Sequence, residues 1–193
     1  MSALCVYCGS SPGISPIYAE AARQLAAELV ARGHELVYGG GNVGLMGVIA
    51  DEVMRLGGRV TGVIPQALMD KEVGHRGLTQ LHVVANMHER KAMMAELAQG
   101  FIAMPGGIGT LEELFEVMTW SQLGFHHKPV GVLNIQGFYD GLIQFLQHTT
   151  EQGFLRPTHQ AILQASANPA QLLDLLAAYH PVDTHKWLQQ CDL

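Results

Sequence analysis

Three glutamates, Glu112, Glu113 and Glu116, stand directly behind a Pro-Gly-Gly-Ile-Gly-Thr run in the stretch FIAMPGGIGTLEELFEVMTW. Upstream, in ANMHERKAMMAEL, Arg90 and Lys91 stand side by side. Carboxylates of this kind can stabilise a developing positive charge or orient and deprotonate a water. A guanidinium offers a fixed fork of donors to anionic or sugar oxygens. Between them, Gly106, Gly107 and Gly109 let a backbone come close to a ligand, and Thr110 supplies a hydroxyl and an N–H. An apolar run ending in Pro and Gly reads as a buried strand, and the periodicity of Leu111, Leu114, Phe115 and Met118 predicts a helix over 110–124. Strand, glycine turn and helix start together form an anion site, because unpaired N–H groups and the helix dipole point at the same place.

The carboxylates have a second reading. T-x-x-E at Thr110 and Glu113 is a capping box, which by itself accounts for that pair. On a helical wheel Glu112, Glu116 and Thr119 share a side and Glu113 points nearer Trp120, all away from the expected apolar stripe. Asn86 to Glu89 is another capping start. Arg90 and Lys91 then fall near the positive end of the helix, where each costs roughly 0.3–1 kcal/mol. Such local conflict is expected at a site, here one facing an anionic ligand. Further upstream, Gly39, Gly41 and Gly44 in YGGGNVGLMG satisfy G-x-G-x-x-G, but they follow the second strand and no acid ends the next one. This favours the Gly40 and Gly41 backbone approaching a phosphate or ribose, without a nicotinamide dinucleotide; a tight turn is the alternative. Ser10, in CGSSPG, is an extra donor or part of the turn before the first helix.

The elements that position these residues alternate. Strand-like runs lie at 4–8, 35–38, 59–64, 81–84, 101–104 and 130–134, with a shorter one at 161–165. Helical stretches lie at about 16–32, 43–56, 87–99, 110–124, 138–151 and 169–179. This predicts an α/β fold, a doubly wound parallel sheet flanked by helices, with ligands at the carboxyl ends of the strands. The expected division is one domain over 1–180 and a peripheral tail over 181–193. Segment 66–79, QALMDKEVGHRGLT, fits neither period and is expected to be a loop over the site.

The net charge of -6 argues against general nucleic-acid binding. With 48% apolar residues and only 15% charged, part of the surface should be hidden in a homo-oligomer. No apolar run reaches the ~18 residues of a membrane span, and no basic n-region precedes the first strand. The location expected is cytoplasmic. Cys5 and Cys8 have C-x-x-C spacing, but residues three apart on a strand point to opposite faces, so neither a redox pair nor a metal site is expected. The histidines show no metal-ligand spacing and read as surface or loop residues.

Taken together, RKAMMAELAQGFIAMPGGIGTLEELFEVMTW, YCGSSPG and YGGGNVGLMG resemble, in order, the signature of the LONELY GUY family, PGG-x-GT-x-x-E behind an Arg-Lys pair. The resemblance covers about residues 3–178. It implies a Rossmann-like, homodimeric nucleotide N-glycosidase that splits cytokinin riboside 5′-monophosphates into free base and ribose 5-phosphate; with no His/Cys cluster and no nicotinamide acid in the sequence, neither cofactor nor metal is expected. By motif it implies Arg90 and Glu113 as the catalytic pair, and Glu72, Lys91, Gly107, Ile108, Gly109, Thr110, Leu111, Glu112 and Thr119 as substrate-binding positions. Ile108 stands where a Tyr is common. A non-hydrolytic nucleotide or cofactor carrier on the same fold is the alternative. A pyridoxal phosphate decarboxylase would require a Schiff-base lysine, and Lys71, Lys91, Lys128 and Lys186 sit in no suitable context.

Overall fold

A computed structural model describes residues 2–71 and 74–181. Its strands are β1 (Ala3–Tyr7), β2 (Glu35–Tyr38), β3 (Val60–Pro65), β4 (Gln80–Val84), β5 (Gly100–Ala103), β6 (Val130–Leu133) and β7 (Leu163–Ser166). The helices are α1 (Pro16–Ala31), α2 (Gly44–Arg55), α3 (Gln66–Met69), α4 (Met87–Leu97), α5 (Ile108–Gln122), α6 (Asp140–Glu151), α7 (Pro157–Gln160) and α8 (Pro169–Ala177). All sheet pairings are parallel, in the order β4-β3-β2-β1-β5-β6-β7. From β1 the chain first winds toward β4, then returns to β5 on the other side. The crevice for a ligand therefore opens beyond the carboxyl ends of β1 and β5.

Alternation along β1 divides the core in two. Leu4, Val6 and Cys8 join Leu25 and Leu29 of α1, Ile49 of α2 and Leu172 of α8 on one face. Cys5 and Tyr7 join Met94 of α4, Leu114 of α5 and Leu146 of α6 on the other. The two cysteines thus occupy opposite layers, and burial pushes both thiols far up. Sheets covered on both faces read as near-continuous apolar runs, as β3 and β6 do.

Local signals set the helix starts. Ser15 accepts from the Ile17 N–H with Pro16 opening α1. The Asn86 side chain accepts from the Glu89 N–H at 2.9 Å, while Glu89 reaches back to the Ala85 N–H at 2.9 Å. Two short helices depart from the periodic reading. The expected loop over 66–79 begins with α3, where Asp70 N–H closes on Gln66 O at 2.9 Å through a run of good helix formers. Likewise α7 forms behind Pro157, and single turns are too short to show a period.

Candidate active site

Helix α5 begins at Ile108, two residues before the predicted start, with Gly107 as an N-cap that offers no side chain. The Thr110–Glu113 capping box is therefore not formed: Thr110 lies inside the helix, and the first-turn N–H groups meet no side-chain cap. They are available to an anion. The buried face is also rotated from the expected stripe. Thr110, Glu113, Leu114, Val117, Met118 and Ser121 are buried, whereas Phe115 is exposed. Glu113 is thus carried inward with the apolar residues instead of outward with Glu112 and Glu116.

What Glu113 meets there is Arg90. The guanidinium Nη1 lies 3.4 Å from Glu113 Oε1, and Nε donates to the Val63 carbonyl at the end of β3 at 3.2 Å. Burial pushes the Glu113 carboxyl up to about 6, against the pull of Arg90. Lys91 is answered differently: its Nζ lies 2.5 Å from Glu112 and 2.9 Å from Glu116. Both cations that looked costly in the first turns of α4 are therefore matched by carboxylates of α5.

These groups enclose a cleft of about 310 Å³ at the expected crevice. Arg90, Glu113, Glu112, Gly107, Ile108, Gly109, Thr110 and Ser10 line it, together with Gly39, Tyr7, Cys8 and three methionines, Met46, Met87 and Met94. Burial keeps the Tyr7 phenol and Cys8 thiol neutral. The methionines give the cleft an adaptable apolar wall, and nothing in their spacing announced it.

Other predicted residues fall elsewhere. Lys91 lies outside the cleft lining, at the Glu112–Glu116 pair. Gly106 lines a neighbouring apolar hollow of about 250 Å³ with Tyr18, Leu45 and Phe138. Leu111 is half-buried in the α5 packing and Thr119 is exposed, its hydroxyl donating to Phe115 O at 2.7 Å. Gly40 and Gly41 sit behind the cleft, where Gly41 bridges to Gly74 and Gly40 O accepts from the His75 N–H at 2.8 Å. His75 is itself buried, with its Nε2 at 2.8 Å from Asp51 Oδ1, so this histidine is not a surface residue. Glu72 lies outside the described residues. Among the described residues, no three His, Cys, Asp or Glu side chains converge as metal ligands, and no helix is long and apolar enough to cross a membrane.

The glycines of the α5 turn divide by function. A Cβ on Gly106 would collide with Thr110 Oγ1, so this position is small for packing. A Cβ on Gly107 or Gly109 would meet nothing, and neither has a positive φ. Neither packing nor a positive φ demands glycine there.

A family model described as "Possible lysine decarboxylase" matches residues 46–176. The cytokinin riboside 5′-monophosphate phosphoribohydrolase LOG5 of Arabidopsis thaliana is 49% identical over 180 residues, covering 93% of this chain and 79% of that protein. The chain belongs to the LONELY GUY family. A probable cytokinin riboside 5′-monophosphate phosphoribohydrolase of Oryza sativa subsp. japonica, LOGL3, is also 49% identical, over 92% of this chain and 84% of that protein. The molybdenum cofactor carrier protein of Chlamydomonas reinhardtii superposes with a TM-score of 0.68, over 92% of this chain and 99% of that one, at 18% identity. That likeness shows a shared fold. For this LONELY GUY chain the described lysines do not suit the decarboxylase description. A Schiff-base lysine must reach its deprotonated form. Desolvation lowers the Lys91 pKa, but the bonds to Glu112 and Glu116 outweigh it and hold the ammonium charged. Partial burial does lower Lys128, yet it donates to Ala95 O at 2.7 Å just before β6, at the sheet end opposite the cleft. Lys71 is exposed, and Lys186 lies outside the described residues.

Proposed function

We propose that this chain hydrolyses the N-glycosidic bond of cytokinin riboside 5′-monophosphates, N6-substituted forms of AMP, and of AMP itself, releasing the free base and ribose 5-phosphate. The observation that carries the reading is the buried Arg90–Glu113 pair beside the open, glycine-lined start of α5. Breaking a bond between base and ribose builds positive charge on the sugar. The 5′-phosphate would rest on the first-turn N–H groups from Ile108 to Thr110, with Ser10 as a further donor. This brings the ribose toward Glu113, whose carboxylate stabilises the cation and orients the attacking water. Arg90 holds ribose or phosphate oxygens and polarises the departing base. Lys91 and Glu112, coupled to one another, flank the substrate at the rim, with Glu72 and Leu111 assigned by family resemblance.

The activity for which the homologues are named supports the substrate class, and the chemistry of the cleft supports the bond that is broken. We further infer a cytoplasmic homodimer. Ile108 and Phe115 on α5, with Leu123 at its C-cap, form an exposed stripe that also carries Glu112 and Thr119. Ten residues of helix, about 15 Å, separate Thr119 from Gly109. A second copy packed on the stripe gives Thr119 its route to a cleft.

The test is incubation with AMP, N6-isopentenyl AMP and the matching nucleosides, following free base and ribose 5-phosphate by chromatography. Cleavage of the monophosphates, with the nucleosides at least roughly tenfold slower in kcat/KM, is expected for a functional phosphate cradle. Equal rates on nucleoside and nucleotide would remove that cradle from the account. Tight nucleotide binding without any turnover would return the carrier alternative.

A further inference from the structure

The glycine turn after β2, read in the sequence as a weak dinucleotide fingerprint, has another occupant. The three atoms nearest to a Cβ built on Gly39 all belong to the Arg90 guanidinium. That Cβ would overlap Nη2, with Cζ at 2.9 Å and Nε at 3.4 Å. Gly39 has no positive φ, so an alanine could adopt its backbone. The guanidinium is what asks for glycine here.

Two sides of the turn are fixed independently of Arg90. Tyr38 donates its buried hydroxyl to Gly41 O at 3.1 Å, and the His75 N–H donates to Gly40 O at 2.8 Å. Gly41 bridges to Gly74, while Gly44 has φ of +59° and packs against the Ser10–Ser11 backbone. Gly39 and Gly44 of the G-x-G-x-x-G pattern are thus accounted for by contacts within the protein. With Val63 O holding Nε and Glu113 facing Nη1, the bare Gly39 Cα completes the seat of Arg90.

We propose that Gly39 is a positioning residue: its missing side chain lets the Nη2 tip of the Arg90 guanidinium reach the β2 turn while Nη1 faces Glu113. This glycine of the pattern then serves the catalytic cation. This rests on the assignment of Arg90 to the reaction, and the experiment separates the two.

Gly39→Ala, Arg90→Ala, Arg90→Lys and the doubles G39A/R90A and G39A/R90K are compared for kcat, KM and Tm on AMP. Because the atom displaced is the end of a flexible side chain, G39A should melt close to the parent. A guanidinium shifted by about an ångström should lower kcat on the order of 100-fold, with KM within about threefold because the α5 phosphate cradle is intact. In the R90A background G39A should add nothing, since the two changes act through one group. Should G39A alone fail to fold, G39A/R90K must fold like R90K, as lysine lacks the colliding Nη2; a double that also fails overturns the proposal. Normal kcat in G39A with impaired R90A overturns it as well. Normal activity in R90A would remove Arg90 from the reaction, and the inference with it.

Discussion

The Arg90 guanidinium on α4 and the Glu113 carboxylate on α5 face each other at 3.4 Å, and each side chain is only 11% exposed. The helices that carry them start at the same end of the sheet, on either side of the cleft. Desolvation is the larger influence on the acid, since its pKa stands above the ordinary value even with the cation beside it. An acid poised near neutral pH is suited to exchanging a proton with water during a reaction.

A pH dependence follows from that value. Glu113 must be ionised to stabilise a ribosyl cation, and its pKa is about 6. The kcat/KM for AMP should be level above about pH 7 and fall roughly tenfold per pH unit below about pH 5.5. In Glu113→Gln the residual rate, lower by on the order of 100-fold or more, should lose this acid limb. Stopped assays for free base from pH 4.5 to 8 would show it, and a limb that persists unchanged in the variant would assign the titration to another group.

Stability should respond to pH through the same group. A carboxyl raised from 4.5 to about 6 on folding favours the folded state below its unfolded pKa and loses that contribution as pH rises through the folded value. The loss amounts to roughly 2 kcal/mol above pH 6. Glutamine cannot ionise. Between pH 4.5 and 8 the stability difference between Glu113→Gln and the parent should therefore move by about 2 kcal/mol in the variant's favour. Urea midpoints at the two pH values measure it independently of any constant cost from leaving Arg90 unpaired.

The legible part of this molecule was its rhythm. Alternation in β1 placed Cys5 and Cys8 in opposite layers, and strand–helix spacing gave the parallel sheet and its crevice. Arg90 and Lys91 announced themselves by defying the dipole of α4. Their partners were less readable, because pairing runs between α4 and α5 and not within either. Glu113 looked like one of three outward carboxylates, and only the true rotation of α5 shows it buried where Phe115 was expected. The T-x-x-E pattern pointed to a cap because sequence cannot show that the helix already starts at Ile108. Gly39 was misleading for a related reason: a flat backbone is equally suited to a phosphate or to a guanidinium, and only tertiary packing chooses.

The two sorts of glycine in the α5 turn should separate by experiment. Gly109→Val adds a side chain into open cleft, so its Tm should match the parent within about 2 °C while binding of AMP and ribose 5-phosphate weakens at least tenfold. Gly106→Ala instead collides with Thr110 Oγ1 and should cost about 1–3 kcal/mol of stability. Calorimetric titration with ribose 5-phosphate, alongside thermal melts, reads both. If Gly109→Val binds normally, the phosphate does not lie over that backbone.

The exposed stripe of α5 supplies the last test. Ile108 is 82% exposed, Phe115 37% and the C-cap Leu123 52%, a row shared with Glu112 and Thr119 on a helix whose other face is already buried. In a two-fold dimer the same row meets itself, so one substitution acts twice in the interface. Phe115→Glu would set two carboxylates against apolar surface and against each other, whereas in a monomer it would sit harmlessly in water. Light scattering at micromolar concentration should give twice 20.9 kDa for the parent and a single chain mass for the variant, with unchanged far-UV circular dichroism. Activity carries the finer distinction. If Thr119 serves the cleft of the neighbouring copy, the monomeric variant should lose affinity for AMP, and Thr119→Ala in the dimer should reproduce that loss without changing the mass. A parent that scatters as a monomer would remove both statements together.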